Sequence, residues 1–326
     1  MADTDAPIGF CLGTFRAGAE TPEFAGLVVG DRVLELSARF PAATVRDLLE
    51  DWDAVLPVLS RLAGADGNWL ELGVLDVRAP VVPRQVLQAG ANYRTHVIDL
   101  AVKHAEITPE RTVEQVRAET ADLMDRRAAT GTPYFFLGLP TVIGGPFDDV
   151  VLPAYSEQHD WELELAAVIG RRAFRIDREH ALDHVAGYTI VNDLTTRDLV
   201  FRRDMPEIGT DWFRAKNAPG FLPTGPFLVP KQFVADPGDL RVNLTLNGAT
   251  MQDESTKDMI FDVATLVAAA SQTVELLPGD LILTGSPAGN GIHYGRLLRA
   301  GDVMEGSITG GDSLSLGTQR VRAVAP

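Results

Sequence analysis

The ten residues from Trp161 to Gly170, WELELAAVIG, constrain the fold more than any other stretch of the chain. Side chains of an extended strand alternate between two faces, so Glu162 and Glu164 share one face and their apolar neighbours share the other. The two carboxylates then lie about 7 Å apart. A solvated face is the common reason for such a pair, because Glu is rarely buried. A carboxylate site is the alternative, and it needs partners elsewhere in the chain.

A second strand-like segment, AGYTIVND at residues 186–193, ends in Asp193. Asp193 could begin a turn, since Asp bonds to nearby backbone there. It could also be a third oxygen ligand beside Glu162 and Glu164. Three carboxylates with no nearby cysteine favour a hard cation such as Mg²⁺, Mn²⁺ or Ca²⁺ over zinc.

The segment LQAGANYRTH at residues 87–96 predicts a short strand that leads to His96, with Asp99 three residues later. If a helix follows the strand, the two side chains share one face, and the carboxylate can orient the imidazole and raise its basicity. A surface His beside an Asp is the alternative. Lys216, in the segment FRAKN, could add a cation only if the fold brings it to the carboxylates.

The charge balance disfavours some classes of partner. The chain carries 29 Lys and Arg against 45 Asp and Glu, a formal net charge of −16. A nucleic acid or an anionic membrane would therefore be repelled. A small anionic substrate remains possible if a metal and local cations reverse the sign inside the site.

The sequence also predicts the compartment. The single cysteine, Cys11, permits no intrachain disulfide and fits a reducing environment. The first ten residues lack the basic and apolar segments of a secretory signal. No run approaches the roughly 18 apolar residues of a membrane span. We therefore predict a cytoplasmic protein.

The first 80 residues are predicted to form a small accessory domain. Strand-like pieces over residues 7–38 alternate with turns, which suggests an antiparallel meander. Apolar residues at helical spacing over 44–63 predict one amphipathic helix. We expect an N-terminal accessory domain at 1–80 and a catalytic domain at 81–326.

Residues 107–131 predict a long charged helix inserted in the catalytic domain. Thr108 can cap it, Pro109 suits its first position, Glu110 adds a negative charge there, and Gly131 ends it. A narrow apolar stripe favours packing on the protein's own body. A lid or a subunit contact is the alternative, because a helix that is polar on most sides needs somewhere to rest.

The C-terminal third predicts short strands joined by tight turns. Asn247-Gly248 is a two-residue hairpin signal, and Gly-Asp recurs at 279, 301 and 311 before strand-like runs. A helix is expected at about 258–276. This pattern indicates a barrel or roll rather than a doubly wound parallel sheet.

Over residues 84–322 these segments resemble the fumarylacetoacetate hydrolase family. The resemblance rests on the joint order and spacing of its motifs. They are Gly90-x-Asn92-Tyr93-x-x-His96-x-x-Asp99, Glu162-x-Glu164, Asn192-Asp193-x-x-x-Arg197-Asp198, Lys216, Gly225-Pro226, Leu246-Asn247-Gly248, and Pro278-Gly279-Asp280 leading to Thr284-Gly285-Ser286-Pro287-Ala288-Gly289.

The resemblance implies an α+β fold, with a mixed β-sheet roll or barrel and a small N-terminal α/β domain, usually in a homodimer. It implies one divalent ion, Mg²⁺ with Mn²⁺ or Ca²⁺ as alternatives, on Glu162, Glu164 and Asp193. The other roles that it implies are a catalytic dyad of His96 and Asp99, a catalytic Lys216, and substrate contacts from Tyr93, Arg197, Gly285 and Ser286.

The chain departs from the family pattern at several positions. Asp99 stands where Glu is usual, and Ser286 where Thr is usual. Val200 replaces a common Gln, and Gly138 replaces a common Lys, so two polar substrate contacts are expected to be missing. The inserted 107–131 helix is expected to cover the active-site mouth or to extend a dimer contact.

The resemblance implies metal-dependent hydrolysis of a C–C bond in a 2,4-dioxo acid, a small anionic 2-oxo acid of the acylpyruvate kind. His96 would take a proton from the attacking water, and Lys216 would stabilise the oxyanion. A decarboxylase, lyase or isomerase of the oxaloacetate type is the alternative. A non-catalytic binding homologue is a third, disfavoured by the joint presence of His96, Asp99 and Lys216.

Overall fold

The computed structural model describes residues 9–109, 111–311 and 313–326. Its N-terminal part begins with a strand meander, as the sequence predicts. The elements up to residue 80 are β1 (Cys11–Arg16), β2 (Phe24–Val29), β3 (Arg32–Glu35), α1 (Val45–Leu49), α2 (Trp52–Ala63), β4 (Trp69–Glu71) and β5 (Asp76–Arg78). These strands form one sheet in the order β4-β3-β2-β1-β5.

The remaining elements alternate short strands with few helices. They are β6 (Val86–Gly90), α3 (Arg94–His104), α4 (Val113–Thr130), β7 (Tyr134–Gly138), β8 (Ile143–Gly144), β9 (Val150–Val151), β10 (His159–Asp160), β11 (Leu163–Ile169), α5 (Arg178–Ala181), β12 (Val185–Asn192), β13 (Thr195–Thr196), α6 (Trp212–Lys216), β14 (Leu222–Pro223), β15 (Val229–Pro230), β16 (Arg241–Leu246), β17 (Ala249–Ser255), α7 (Val263–Ser271), β18 (Leu281–Leu283), α8 (Gly291–Tyr294), β19 (Val303–Gly310) and β20 (Leu314–Val324).

Two sheets organise this part of the chain. One has the order β15-β12-β11-β18-β6-β7 and the other β17-β16-β19-β20-β9. The first sheet is mixed, because β11 runs antiparallel to β12 and β18 while β18 runs parallel to β6. The predicted α+β class with a mixed-sheet roll is confirmed, and no doubly wound parallel sheet is present over the described residues.

Strand β11 is buried on both faces, and the two faces have different neighbours. Leu163 and Leu165 belong to a core shared with the second sheet. Ala166 and Val168 belong to a core shared with β1, β2 and α1. The elements up to residue 80, which we call the N-terminal unit, therefore pack over Ala166 and Val168. These two residues lie on the same face of the strand as Glu164. The division into domains at residue 80 stays a prediction.

Two predicted helices differ in their bounds. The helix expected over 44–63 is two helices, because the backbone of Asp51 is not helical (φ −130°, ψ 49°) between α1 and α2. Thr44 caps α1 in a reciprocal capping box with Asp47. The helix expected at 258–276 is the shorter α7, which Asp262 caps through the backbone N–H of Thr265.

The inserted helix α4 begins later than predicted. Thr112, not Thr108, is its N-cap, because Thr112 and Gln115 form a reciprocal capping box. Gly131 is the C-cap, as expected. Glu110, predicted to supply a negative charge at the N-terminus, lies outside the described residues.

Helix α4 packs along α3 and is tied to it by ion pairs. Arg94 of α3 donates two hydrogen bonds to the Asp125 carboxylate of α4, one from Nε and one from a terminal nitrogen. Asp99 of α3 accepts from Arg117 of α4 at 2.8 Å. Arg127 donates to the carbonyl of Ala91, just before α3. The structure thus places this helix as a support for α3. Among the described helices, none combines the length and apolar character that crossing a bilayer requires.

Cys11 is expected to react slowly in the folded protein. Burial raises the pKa of its thiol to about 12, so the thiolate, which is the nucleophile, is scarce near pH 8. Alkylation by iodoacetamide, followed by mass spectrometry, should be roughly 10³-fold slower in native protein than in urea-unfolded protein. Equal rates in the two states would show that the thiol is not protected.

Candidate active site

The pairing of β11 with β12 brings the three predicted ligands together. Leu163 pairs with Asn192, so Glu162 and Asp193 lie opposite each other at the strand ends, where the Asp193 N–H donates to the Glu162 carbonyl at 2.8 Å. One carboxylate oxygen from each of Glu162, Glu164 and Asp193 lies within 4.8 Å of the others. All three residues are buried.

Lys216 lies directly against this acidic cluster. Helix α6, capped by Asp211, ends at Lys216 and carries its ammonium into the interior. The Nζ atom donates to Glu162 Oε2 at 2.5 Å, to Asp193 Oδ2 at 2.6 Å and to the Asp193 carbonyl at 2.8 Å. Its three protons therefore all have acceptors. Sequence alone could not place this lysine, and the fold does.

Burial and nearby charges shift the pKa values of the three carboxyl groups in different directions. Burial raises the pKa of Glu162, but Lys216 and Arg197 outweigh it and bring the value to about 2. Burial raises the pKa of Asp193 to about 6. Burial, with the charges of Asp193 and Glu162, raises the pKa of Glu164 well above its ordinary value. A third buried negative charge is thus not fully balanced by the protein's own cations.

This donor set fits a divalent cation. Three buried carboxylates offer only oxygen ligands, which hard cations prefer, and the unbalanced charge at Glu164 favours an added positive charge. Neighbouring groups hold the ligands in place. Gln88 Nε2 donates to Asp193 Oδ1 at 2.6 Å, and the Gly285 N–H donates to Glu164 Oε2 at 2.9 Å.

Sequence pattern alone does not identify Gln88 as a site residue. Its carbonyl oxygen Oε1 is buried without a hydrogen-bond partner among the described residues. A Cβ atom on Gly138 would lie 3.0 Å from that oxygen. Gly138 has no side chain, so the Gln88 side chain has room to lie beside it and to reach Asp193. The available signal was a lone amide inside the apolar strand VLQAG.

Arg197 is held by two carboxylates. Its Nε donates to Asp160 Oδ2 at 2.8 Å and a terminal nitrogen donates to Glu162 Oε1 at 2.7 Å. Asp160 also accepts from the backbone N–H groups of Gly291 and Ile292, which begin α8. Asp160 was not predicted, although it precedes Glu162 by two residues and so continues the same alternation.

His96 is buried in α3, and its partner is not the expected one. His96 Nδ1 lies 3.2 Å from Nε2 of His293 in α8. Asp99 instead bonds Arg117, so among the described contacts the predicted hydrogen bond between Asp99 and His96 is not formed. The ion pair with α4 holds the Asp99 carboxylate. Burial lowers the pKa of His96 to about 3, which keeps its imidazole neutral.

A cavity of about 560 Å³ joins these groups. Of the predicted site residues, it is lined by His96, Glu162, Glu164, Asp193, Arg197, Lys216 and Ser286. Tyr93 is fully buried outside this lining, and burial raises its pKa. Gly285 reaches the site through its backbone N–H to Glu164. Asp99 also lies outside the lining.

One wall of the cavity is apolar. Phe136 and Trp212 stack with ring centroids 4.7 Å apart and an interplanar angle of 18°. Val200 and Phe201 line the same cavity. The site therefore combines a charged end, formed by the carboxylates and their cations, with an aromatic surface beside it.

Comparisons with known proteins identify the family of the chain. The family described as fumarylacetoacetate (FAA) hydrolase C-terminal matches residues 85–323. Oxaloacetate tautomerase FAHD2B, mitochondrial, of Homo sapiens is 35% identical over 283 residues, which are 85% of this chain and 81% of that protein. The 2,4-didehydro-3-deoxy-L-rhamnonate hydrolase of Sphingomonas sp. (strain SKA58) is 42% identical over 191 residues, 58% of this chain and 64% of that protein.

A solved structure agrees with the fold. Maleylpyruvate hydrolase from Sphingobium sp. SYK-6, in complex with manganese(II) ion and pyruvate, superimposes with a TM-score of 0.70 at 25% identity, over 97% of this chain and 99% of that one. These proteins are named as hydrolases and a tautomerase, so the relatives are enzymes. The matched region, the fold and the relatives together show that the chain belongs to the fumarylacetoacetate hydrolase family.

Proposed function

We propose that the protein is a divalent-metal-dependent hydrolase that cleaves the C3–C4 bond of a 2,4-dioxo acid. The observation that carries this proposal is the convergence of His96, Lys216 and Arg197 on one cavity with the three buried carboxylates. The names of the Sphingomonas and Sphingobium relatives support a hydrolase.

The proposed metal is Mg²⁺, with Mn²⁺ or Ca²⁺ as alternatives, and Glu162, Glu164 and Asp193 would hold it. When bound, it would supply Lewis acidity to the 2-oxo acid and to the enolate derived from it. The guanidinium of Arg197 places a permanent positive charge beside Glu162. This charge favours an anionic substrate in a cavity whose other charges are largely negative.

His96 is the proposed general base. Its neutral ring can take a proton from water, whose oxygen then attacks C4 of the substrate. The C3–C4 bond breaks, its electron pair forms an enolate on the 2-oxo acid, and a proton returns to C3. The products are a 2-oxo acid and a carboxylic acid.

Lys216 is the proposed donor to the oxyanion at C4. In the structure its three protons go to Glu162 and Asp193. Lys216 must therefore exchange one of these acceptors for the oxyanion, and the short α6 that carries it ends within reach of the cavity.

Tautomerisation of oxaloacetate is the second candidate function. The human relative named as an oxaloacetate tautomerase matches most of both chains. That reaction moves a proton between C3 and the enol oxygen without water addition, and His96 could transfer it. The two functions differ in their products, since only hydrolysis releases a carboxylic acid.

The aromatic wall supports a substrate with an apolar distal group. Phe136 and Trp212 stack beside Lys216, whose Nζ lies 5.6 Å from the Phe136 ring centroid. Val200 stands where a polar residue is common in the family. A flat or branched apolar substituent on C4 would bury surface against these rings.

We also propose that the protein is a homodimer in the cytoplasm. Over the described residues, β7 is the edge strand of its sheet and exposes Leu137, whose carbonyl accepts from Asn217. An exposed apolar edge strand is a surface on which a second copy can pair. Sedimentation velocity would measure the assembly state. The name of the human relative places that protein in mitochondria.

Metal binding should stabilise the folded protein. At a free Mg²⁺ concentration of 100 times Kd, the free energy of unfolding should rise by about 2.7 kcal/mol, because the metal binds only the folded state. Urea unfolding with and without Mg²⁺ measures this. Glu164→Gln should lose the effect, whereas Glu179→Gln, at an exposed position in α5, should keep it.

The same variants test the charge balance without metal. The folded-state pKa of Glu164 is raised, so its contribution to stability is present below its ordinary value and is lost as pH rises through the raised pKa. Metal-free Glu164→Gln should therefore gain stability over wild type as pH rises above about 4.5. A difference that stays constant with pH would contradict this assignment.

Turnover should depend on both Mg²⁺ and His96. Metal-stripped protein should release pyruvate from acetylpyruvate only after Mg²⁺ is added, and His96→Ala should lower kcat by about 10²- to 10⁴-fold. The control is His180→Ala, at an exposed position in α5. Release that survives His96→Ala would remove the base from the mechanism.

Oxaloacetate added to the same preparations separates the two functions. Decay of the enol absorbance without release of pyruvate or a carboxylic acid, and with no cleavage of acylpyruvates, would establish the tautomerase instead.

Trp212 should select for the distal group. Trp212→Ala should lower kcat/KM for an aromatic acylpyruvate by about 10-fold, since an aromatic contact is worth about 0.5–1.5 kcal/mol beyond its buried area. Acetylpyruvate should be affected less. Phe213→Ala, at the exposed neighbouring position in α6, is the matched control. Equal losses for the two substrates would show that Trp212 acts only on the fold.

A further inference from the structure

The contact between His96 and His293 has no role in the function proposed above. The two imidazole rings meet edge to face, with centroids 5.3 Å apart and an interplanar angle of 77°. The approach is between His96 Nδ1 and His293 Nε2, at 3.2 Å. This is a hydrogen-bond distance between two groups that can each donate or accept, depending on where the proton is.

Residues other than His96 fix the position of the short helix that carries His293. It belongs to α8, whose first two N–H groups donate to Asp160, and Asp160 also holds Arg197. The Asn290 amide, which precedes α8, donates to the Trp161 carbonyl at 2.8 Å. The short helix that carries His293 is thus anchored by the same carboxylate that holds the proposed substrate arginine.

The contact decides which nitrogen of His96 is left for the substrate. His96 lines the cavity, and its Nδ1 is occupied by His293. Nε2 is therefore the nitrogen available to a molecule in the cavity. It can accept a proton only in the tautomer that carries hydrogen on Nδ1, and the partner of one ring nitrogen selects the tautomer at the other.

Asp99 does not compete for this position in the structure. Its carboxylate accepts from Arg117 of α4 and contributes to the contact between α3 and α4. Asp99 is then a docking residue for the inserted helix, and the orienting role expected of it falls to another side chain.

We propose that His293 is a positioning residue that accepts the Nδ1–H of His96 at its own Nε2 and so holds the His96 Nε2 lone pair toward the cavity. This inference rests on the proposed function only in giving His96 the role of base. Both rings are neutral in this arrangement. Burial lowers the pKa of each ring, which agrees with that state.

The test is the tautomer of His96, read by ¹⁵N NMR on metal-free protein labelled at histidine. The chain has six histidines, and His96→Gln identifies the signals of His96. In wild type, Nδ1 should show the shift of a protonated ring nitrogen and Nε2 that of an unprotonated one. An Nε2–H tautomer in wild type would overturn the proposal before any variant of His293 is made.

Two variants of His293 separate positioning from packing. His293→Gln can present an amide oxygen near the position of Nε2 and should keep the Nδ1–H tautomer of His96. His293→Phe fills the space without an acceptor and should convert His96 largely to the Nε2–H tautomer. His180→Gln, at an exposed position in α5, should leave the His96 signals unchanged.

Kinetics supply a second readout. His293→Phe should lower kcat by at least about 10-fold with little change in KM, because a base with the wrong tautomer binds substrate but does not take the proton. His293→Gln should recover most of the loss. If no substrate is turned over, the proposed function fails, and the NMR measurement still decides the role of His293. A tautomer that changes in Asp99→Asn but not in His293→Phe would return the role to Asp99.

Discussion

The buried ion pairs between Lys216 and two carboxylates are the interaction on which the rest of the site depends. Ionised carboxylates are costly to bury unless cations and hydrogen bonds offset the lost solvation. Lys216 gives all its protons to Glu162 and Asp193, and Arg197 adds a second cation at Glu162. Among the described residues, Glu164 accepts one hydrogen bond, from the backbone N–H of Gly285. Lys216 and Arg197 therefore do not balance the three carboxylates of the cluster together with Asp160, which also pairs with Arg197. This excess of negative charge is the electrostatic reason for expecting a cation there.

The fold makes this burial possible by using both faces of β11. On one face, Leu163 and Leu165 pack into the core between the two main sheets. On the other, Ala166 and Val168 lie under the N-terminal unit, while Glu162 and Glu164 at the start of the same face meet the cavity. The N-terminal unit thus covers the apolar residues on this face and leaves its two carboxylates open to the cavity. None of the unit's described side chains lines the cavity.

The strand alternation was enough to place Glu162 and Glu164 on one face, because side chains repeat every two residues along a strand. Their burial beside Asp193 depends on the pairing of β11 with β12. The alternation also contained Asp160, which was overlooked. Sequence pattern alone could not place Lys216, Gln88 and His293 at the site, because each reaches it through a contact between elements that are far apart in the sequence. The start of α4 was misplaced by a local effect. The capping pair of Thr112 and Gln115 prevailed over the Thr108-Pro109 signal.

The salt bridges between α3 and α4 give the two halves of the site unequal sensitivity to ionic strength. Arg94, Asp125 and Arg117 are largely exposed, and Asp99 is partly so. Added salt therefore screens their attraction. The pairs around Lys216 are buried, and dissolved ions reach them far less. Dissolved salt thus weakens the contact between α3, which carries His96, and α4 more than it weakens the acidic cluster. The two sides of the pocket therefore differ in their response to the ionic composition of the surrounding solution.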